Sequence, residues 1–317
     1  MPQNHRRPAD VQADQHNEFL STVGPSRIVA YLDETFQQPT KQFPDGFYSI
    51  SAVLIQGQHI RPMQENLRHI VDGDYWHATE ALRDGKTPTF LDILDHMQSH
   101  PTLNLFVTTK EVNDPSDQAL HDARAEVLSH LMIDLSRSHP AFYAVIAEQQ
   151  NTRAKSNADE KLIRDLRNSG QIRPNIAYRA ASPAVDRNLW LADTAAMTYR
   201  RTLTHSPKNE TSHWFGDYLA KFSHVTTIGE DNNHDPRVLP RLTERMMDIQ
   251  NNPDAPERSS QPIADQGPLA FLMQQNAAVP LAQQIERQLQ REAAGPSANT
   301  TDGDVYEPPS LDDSPTL

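Results

Sequence analysis

Apolar runs and apolar repeats of helical spacing alternate along the first two thirds of the chain. Runs of β-branched and aromatic residues bounded by Pro, Gly or Asn predict strands at 27–33, 47–55, 103–109, 141–148 and 175–181. Apolar residues recurring every three or four positions predict helices at 61–71, 88–99, 117–138, 156–169 and 187–203. A Pro-Asp-Gly turn between the first two strands predicts an antiparallel hairpin. The alternation of strands and helices predicts an α/β layered fold.

The hydrophobic pattern also divides the chain into regions. Residues 1–25 are polar and predict a disordered arm, and residues 26–205 hold the alternating pattern of the main domain. Aromatic and apolar residues at helical spacing predict a helical extension of the core over 206–245. Residues 246–317 predict a largely disordered acidic tail, with a short amphipathic helix near 269–292 as a docking element for a protein partner.

Composition narrows the class of protein. The 317 residues are 37% hydrophobic, which is enough for one sizeable core. The absence of cysteine excludes disulfides, zinc–thiolate sites and a cysteine nucleophile. Because there is neither an apolar run of membrane-spanning length nor an apolar leader, we expect a soluble cytoplasmic protein without a membrane partner.

Charge is distributed unevenly around a net value of −13. Residues 151–200 hold nine Lys and Arg against five Asp and Glu, a local +4, whereas residues 251–317 hold three against ten, a local −7. The overall acidity argues against a nucleic-acid partner. The basic segment weakens that argument.

Two adjacent acids, Asp33 and Glu34, end the first predicted strand. Carboxylates at the end of a core strand are costly to desolvate unless a cation meets them. Carboxylate oxygens are the ligands that Mg²⁺ and Mn²⁺ prefer, so the pair is a candidate metal site. Solvated acids at a strand end are the alternative.

A second carboxylate in the same kind of position is Glu148, which ends the strand at 141–148. Sites in open α/β sheets gather at the carboxyl ends of strands, so Glu148 is a further candidate ligand. Here too the alternative is a solvated strand end.

The segment Tyr75-Trp-His-Ala-Thr-Glu80 is a weaker candidate. His77 and Glu80 are three residues apart and can share one face of a helix. A surface motif explains the pattern equally well.

Asp193 is a sharper candidate, because it lies on the edge of the apolar stripe of the last predicted helix, beside Trp190 and Met197. A carboxylate in such a setting pairs with a cation, caps a buried polar group or binds a metal. A salt bridge to Arg187 or Arg200 is the alternative to metal binding.

The basic segment supplies candidate contacts to nucleic-acid phosphates. The alternative is a solvated charged helix, which the interspersed acids favour. The candidate cations are Arg153, Lys155, Lys161, Arg164 and Arg167, with Arg173 and Arg179 beyond them. Glycine-rich phosphate loops, serine-hydrolase elbows, zinc-protease motifs and dinucleotide fingerprints are all absent.

Taken in order, these motifs resemble a known family. They are Tyr31-Leu-Asp-Glu-Thr35, the second strand Phe47-Tyr-Ser-Ile-Ser-Ala-Val-Leu-Ile55, His77-Ala-Thr-Glu80, Val145-Ile-Ala-Glu148 and Leu191-Ala-Asp193. This order and spacing is similar to the domain-of-unknown-function family 3800. The resemblance covers about residues 27–205.

The resemblance implies a fold and a set of ligands. The expected fold is α/β, a ribonuclease-H-like mixed sheet flanked by helices, with a disordered N-terminal arm and C-terminal tail. Asp33 then becomes the central ligand of two metal ions and Asp193 the ligand on the last helix, with Glu80 and Glu148 as further ligands. His77 assists proton transfer or product release.

Two functions follow from these expectations. The first is a metal-dependent nuclease or related phosphoryl-transfer enzyme, which uses two Mg²⁺ or Mn²⁺ ions to cleave DNA or RNA. The second is a non-catalytic interaction protein that keeps the fold and binds a partner through the acidic tail and the C-terminal amphipathic helix.

Overall fold

The computed structural model describes residues 8–41, 43–149 and 153–229. The predicted acidic tail at 246–317 and its helix near 269–292 lie outside these residues. Within the described ranges, none of the helices combines the length and apolar character that crossing a bilayer requires.

The centre of the structure is a six-stranded mixed sheet with the strand order β5-β4-β1-β2-β3-β6. Strand β2 is antiparallel to both of its neighbours, β1 and β3. Strands β4 and β5 run parallel to β1, and β6 runs parallel to β3. The predicted hairpin of the first two strands is confirmed. The strands are β1 Ile28–Gln37, β2 Gly46–Gln56, β3 Asn104–Val112, β4 Phe142–Glu148, β5 Ala177–Ala181 and β6 Ser223–Ile228.

Helices fill most of the connections between strands, and the five predicted from apolar spacing are all present. The helices are α1 Pro8–Ser21, α2 Gly57–Val71, α3 Ala78–Arg83, α4 Thr87–Ser99, α5 Asp117–Ser138, α6 Arg153–Asn168 and α7 Leu189–Thr204. Short 3₁₀ and π-helical turns follow α7 at Glu210–Ser212, Phe215–Leu219 and Ala220–Phe222. The five predicted strands are confirmed as well, as β1 to β5.

The sheet is covered on both faces by different helices. On one face α7 packs across β1, β2 and β4, and α2, α3 and α4 complete that layer. On the other face α5 packs on β2 and β3, and α6 packs on α5 and β5. Successive residues of a strand point to opposite faces. Residues Val29 and Tyr31 of β1 lie in the core under α7, and we call this the α7 face and the other the α5 face.

Two predictions for the ends of the domain need correction. Residues 1–25 do not form a disordered arm throughout, because α1 is a helix whose Phe19 is buried and whose His16 bonds Asp186 at 2.8 Å. The region after residue 205 is not wholly helical, because Ser223–Ile228 forms the edge strand β6. Its helical part does pack on the core, with Phe215 and Leu219 buried.

A close backbone approach marks the start of α2. A Cβ atom on Gly57 would lie 2.3 Å from the carbonyl oxygen of Gly24, which is a steric overlap. Two backbone hydrogen bonds hold the same contact, from Gly57 N to Arg27 O and from Gln58 N to Pro25 O. Only glycine therefore fits at residue 57 with this path of the chain.

Candidate metal and nucleic-acid site

Two of the candidate acids lie side by side on neighbouring strands. Glu148 is the last residue of β4, whereas Asp33 lies within β1, which continues to Gln37 and so does not end at Asp33 as predicted. Strand β1 pairs in parallel with β4, and Leu32 lies opposite Ala147. Asp33 and Glu148 each follow that pair by one residue, so both side chains point to the α7 face. Each is half-buried.

The third acid comes from the helix above them. Asp193 lies on α7, which packs on β1 and β4. Its Oδ2 atom accepts a hydrogen bond of 2.7 Å from the backbone N–H of Ala78, the first residue of α3. This bond ties α3 to α7. The sequence offered Arg187 and Arg200 as ion-pair partners of Asp193, but their observed partners are different. Arg187 pairs with Asp74 at 2.6 Å, and Arg200 donates to Phe36 O.

Electrostatics shows that the three carboxyl groups influence one another. Burial raises the pKa of Asp33 well above its ordinary value, and the charges of Asp193 and Glu148 raise it further. Burial, followed by the charge of Asp193, raises the pKa of Glu148. Burial also raises the pKa of Asp193, which His77 and the Ala78 N–H lower. We refer to Asp33, Glu148 and Asp193 as the acid cluster.

Among the described residues, no arginine or lysine forms an ion pair with the acid cluster. His77 lowers the pKa of Glu148 as well as that of Asp193. Arg124 on the α5 face lowers the pKa of Asp33, but less than the two acids raise it. His77 precedes α3, and its buried Nδ1 atom has no hydrogen-bond partner within the same part of the chain. The acid cluster therefore holds more negative charge than its surroundings neutralise.

Glu80 lies at the margin of this cluster. Its charge raises the pKa of Asp193, and its Oε2 atom accepts a hydrogen bond of 2.9 Å from the Tyr75 hydroxyl. Burial, together with that hydrogen bond, raises the pKa of Tyr75 to about 12. The hydroxyl group therefore stays protonated at neutral pH and holds Glu80 in place.

The donor chemistry of the acid cluster suits a hard divalent cation, because carboxylate oxygens are its preferred ligands. Within the described residues, however, no three His, Asp or Glu side chains are already arranged to hold a metal ion. Metal binding here requires these side chains to turn toward a common centre.

Glu34 has a different environment from that of Asp33. Its side chain points to the α5 face, where it forms an ion pair with Arg124 of α5 and accepts a hydrogen bond from the Tyr48 hydroxyl. Arg124 also pairs with buried Asp159 of α6 at 2.7 Å. The sequence suggested Glu34 as a ligand or as a solvated acid, and neither describes this buried network.

The predicted phosphate-binding helix is α6, which lies on the α5 face. The side chains of Lys161 and Arg164 are exposed there, and Arg167 is half-buried. Those of Arg153 and Lys155 lie outside the described side chains. Since Lys161, Arg164 and Arg167 lie on the opposite face of the sheet from the acid cluster, these three cations do not form one surface with it.

Two residues of these surroundings escaped sequence reasoning. Arg124 lies 90 positions from Glu34 in the chain, and nothing in the pattern of α5 distinguishes it from a solvated arginine. Tyr75 belongs to a motif that the sequence did single out. Its large exposure, 62%, is a property of the fold that the sequence did not indicate.

Of the comparisons with known proteins, the one with solved structures finds similar proteins. No protein-family model matches the chain, and no curated protein sequence matches it. A crystal structure of Bst-RNase HIII in complex with Mn²⁺ is 14% identical, with a TM-score of 0.38, over 62% of this chain and 56% of that one. The ribonuclease H2 of Pyrococcus horikoshii OT3 is 14% identical, with a TM-score of 0.32, over 69% of this chain and 99% of that one.

A mutant form of the same RNase HIII gives 15% identity and a TM-score of 0.37 over 62% of this chain and 57% of that one. This chain thus spans little more than half the length of the RNase HIII structures. Similarity this distant carries no conclusion about activity, metal or substrate.

The predicted fold class, a ribonuclease-H-like mixed sheet flanked by helices, is confirmed. The topology of this chain itself displays it, with an antiparallel β1–β2–β3 meander followed by β4 and β5 parallel to β1. Membership in family 3800 stays a prediction.

Proposed function

We propose that the protein is a Mg²⁺- or Mn²⁺-dependent nuclease that hydrolyses phosphodiester bonds at the acid cluster. One observation carries this proposal. Three carboxyl groups from β1, β4 and α7 interact on the α7 face of the sheet with raised pKa values, without an arginine or lysine ion-pair partner among the described residues. Structural acids are usually paired when they are buried, so an unpaired cluster favours a missing cation.

Asp33, Glu148 and Asp193 are the residues that would hold the metal, with Glu80 at the margin. Divalent ions bound by carboxylates supply an activated water and stabilise the leaving oxygen in phosphodiester cleavage. The chain's own groups have further roles. His77 holds or releases a proton beside Glu148 and Asp193, and the bond from Ala78 N–H keeps the Asp193 carboxylate oriented.

The test uses Asp33→Asn and Asp193→Asn in the full chain. Asparagine keeps an oxygen that can accept the Ala78 hydrogen bond but removes the charge, so a purely structural role of Asp193 survives the substitution. We expect Mn²⁺ affinity and cleavage of labelled DNA or RNA to fall more than about 100-fold. Asp122→Asn, an exposed acid with 68% side-chain exposure on α5, is the matched control.

The readouts are calorimetric Mn²⁺ titration, cleavage of single- and double-stranded DNA and RNA, and circular dichroism for folding. A wild-type protein that cleaves none of these substrates with either metal contradicts the proposal. Folded Asn variants with wild-type cleavage rates contradict the assignment of the residues.

The rival function is a non-catalytic interaction protein. A specific observation favours it: the Asp193 carboxylate already has a structural partner in the N–H of Ala78, and no ready-made metal group exists in the described part of the chain. This rival predicts no saturable Mn²⁺ binding. The calorimetric titration therefore separates the two functions before any substrate is known.

A further inference from the structure

A polar cavity lies on the outer side of α2, apart from the acid cluster. Its volume is about 250 Å³. It is lined by Arg61, Gln64, Glu65, Arg68, His69 and Arg187. The lining thus holds three arginines and one glutamate. Because Arg187 is paired with Asp74, the excess of positive charge comes from Arg61 and Arg68.

The spacing of these residues explains why they share one surface. Arg61, Glu65 and Arg68 lie at positions i, i+4 and i+7 of α2, which places them on one side of the helix. Both arginines of α2 are exposed. Gln64 is fixed beneath them by a hydrogen bond of 2.7 Å to buried Asp186.

Arg187 completes the cavity from the segment that leads into α7. Its guanidinium group donates to Asp74 at 2.6 Å and lies 5.9 Å from the centre of the Trp190 ring. Its Nε–H is buried and has no hydrogen-bond partner among the described residues.

Tyr75 connects the surroundings of this cavity with the margin of the acid cluster. It directly follows Asp74, the partner of Arg187, and its hydroxyl group donates to Glu80 at 2.9 Å. The residue is 62% exposed, although both of its neighbours have partners. Asp74 is paired with Arg187, and buried Trp76 donates from Nε1 to Thr194 Oγ1 at 3.1 Å.

An exposed, fixed aromatic ring beside a basic cavity is the combination that binds single-stranded nucleic acid. Arginine contacts the backbone phosphates, and the ring offers its face to an unstacked base. A duplex offers no free base face, which favours a single strand as the ligand.

We infer that Arg61, Arg68 and Arg187 bind backbone phosphates of a single nucleic-acid strand, and that Tyr75 stacks on one of its bases beside the acid cluster. This assignment rests on the proposed nuclease function, because it identifies a single strand as the form of nucleic acid that reaches the acid cluster. It differs from the sequence prediction, which placed the phosphate contacts on α6.

The first experiment measures the affinity of the full chain for fluorescein-labelled single-stranded DNA and RNA by anisotropy, in EDTA to prevent cleavage. We expect Arg61→Gln/Arg68→Gln to weaken binding about tenfold or more at low salt. The slope of log affinity against log salt concentration should become shallower by about 1.4, because each phosphate contact in a single strand contributes ~0.7.

The matched control is Arg137→Gln/Lys221→Gln. It removes the same charge from two exposed residues that do not line the cavity. We expect less than about a twofold change in affinity. Lys161→Gln/Arg164→Gln on α6 tests the competing location. If the α6 pair of substitutions lowers the affinity for the single strand and the α2 pair does not, the phosphate contacts lie on α6 and the assignment is wrong.

The second experiment tests Tyr75. Tyr75→Ala should weaken binding of a normal strand about tenfold, which converts to ~1.4 kcal/mol and is typical for the loss of one stacked base. It should leave binding of an abasic strand unaffected. Tyr75→Phe keeps the ring and should bind within about twofold of wild type.

Several results would overturn the assignment. They are wild-type protein that binds no single strand at low salt, equal losses in the α2 and control pairs, tighter binding of duplex than of single strand, and a mononucleotide that binds as tightly as the strand. The nuclease proposal fails separately. If Asp33→Asn binds the strand normally and wild type does not cleave it, the binding surface stands and the catalytic proposal falls.

Discussion

Asp33 and Glu34 are neighbours in the sequence but meet opposite environments. On the α5 face, Glu34 is ion-paired with Arg124, which also pairs with Asp159, and hydroxyl groups of Tyr48 and Tyr178 complete the network. On the α7 face, Asp33 faces two further carboxyl groups, whose charges raise its pKa. One strand thus carries a compensated acid and an uncompensated acid.

The difference separates stability from function. A buried ion network contributes to the unfolding free energy only while every member keeps its partner. Carboxyl groups that repel one another lower that free energy, so their presence needs a reason other than stability. Changes on the α5 face should therefore affect mainly folding, and changes in the acid cluster mainly the proposed metal binding.

The largest effect is expected from Arg124→Met. The substitution keeps much of the side-chain volume but leaves half-buried Glu34 and buried Asp159 without Arg124, and we expect the unfolding free energy to fall by about 3–5 kcal/mol. Urea unfolding followed by circular dichroism measures it. Arg137→Met on the same helix is exposed, and it should stay within about 0.5 kcal/mol of wild type.

A loss of unfolding free energy below about 1 kcal/mol for Arg124→Met would contradict the view that this network stabilises the α5 face.

On the α7 face, the corresponding substitution is Asp33→Asn. Asp33→Asn should not reduce stability, since it removes one of three repelling charges.

A smaller effect is expected when a single hydroxyl group is removed on each side. Tyr178 donates to Asp159 at 3.0 Å within the buried network, and Tyr75 donates to Glu80 at 2.9 Å on the exposed side. Tyr178→Phe should cost about 1.5–3 kcal/mol, because the acceptor is a buried charge. Tyr75→Phe should cost less than about 0.5 kcal/mol. Equal losses in urea unfolding would remove the contrast between the two faces.

The smallest expected effect is a dependence of stability on pH. The folded-state pKa values of Asp33, Glu148 and Asp193 are raised, so the native state binds more protons than the unfolded state above the ordinary carboxyl pKa of ~4. The contribution of these groups to stability is therefore full below that pH and declines as pH rises through their raised values.

Asp33→Asn should make this decline shallower, and the variant should gain on wild type as pH increases. Urea unfolding from about pH 4 to about pH 8 in EDTA measures both proteins under the same conditions. A decline of equal steepness in the two proteins would show that Asp33 does not take part in the acid cluster's repulsion.

The regular part of the fold follows from the sequence because burial and periodicity agree there. Strand β2 is buried along nearly its whole length, and apolar residues occupy most of its positions, interrupted by Ser49 and Ser51. Helix α1 was missed, because its docking depends on His16 meeting Asp186, which lies 170 positions away. Strand β6 was missed as well, because pairing with β3, rather than an apolar alternation, determines its extended form.

The sequence also indicated part of the candidate site. Strand ends and helix edges indicated Asp33, Glu148 and Asp193, and the structure places these three where their charges interact. The environment of Glu34 was not predictable, since its ion-pair partner Arg124 belongs to α5, a helix that packs on β2 and β3. The cavity on α2 was also missed, because a helix with exposed arginines looks like any solvated helix.

The contact between Gly57 and Gly24 has a consequence for how this sequence can vary. A single β-carbon at residue 57 collides with the carbonyl group of Gly24, so any side chain there forces residues 23–25 onto another path. Homologues that replace this glycine should then also differ in the length or composition of the loop between α1 and β1. The pair of positions should change together, and a comparison of related sequences can recognise that joint change without any structure.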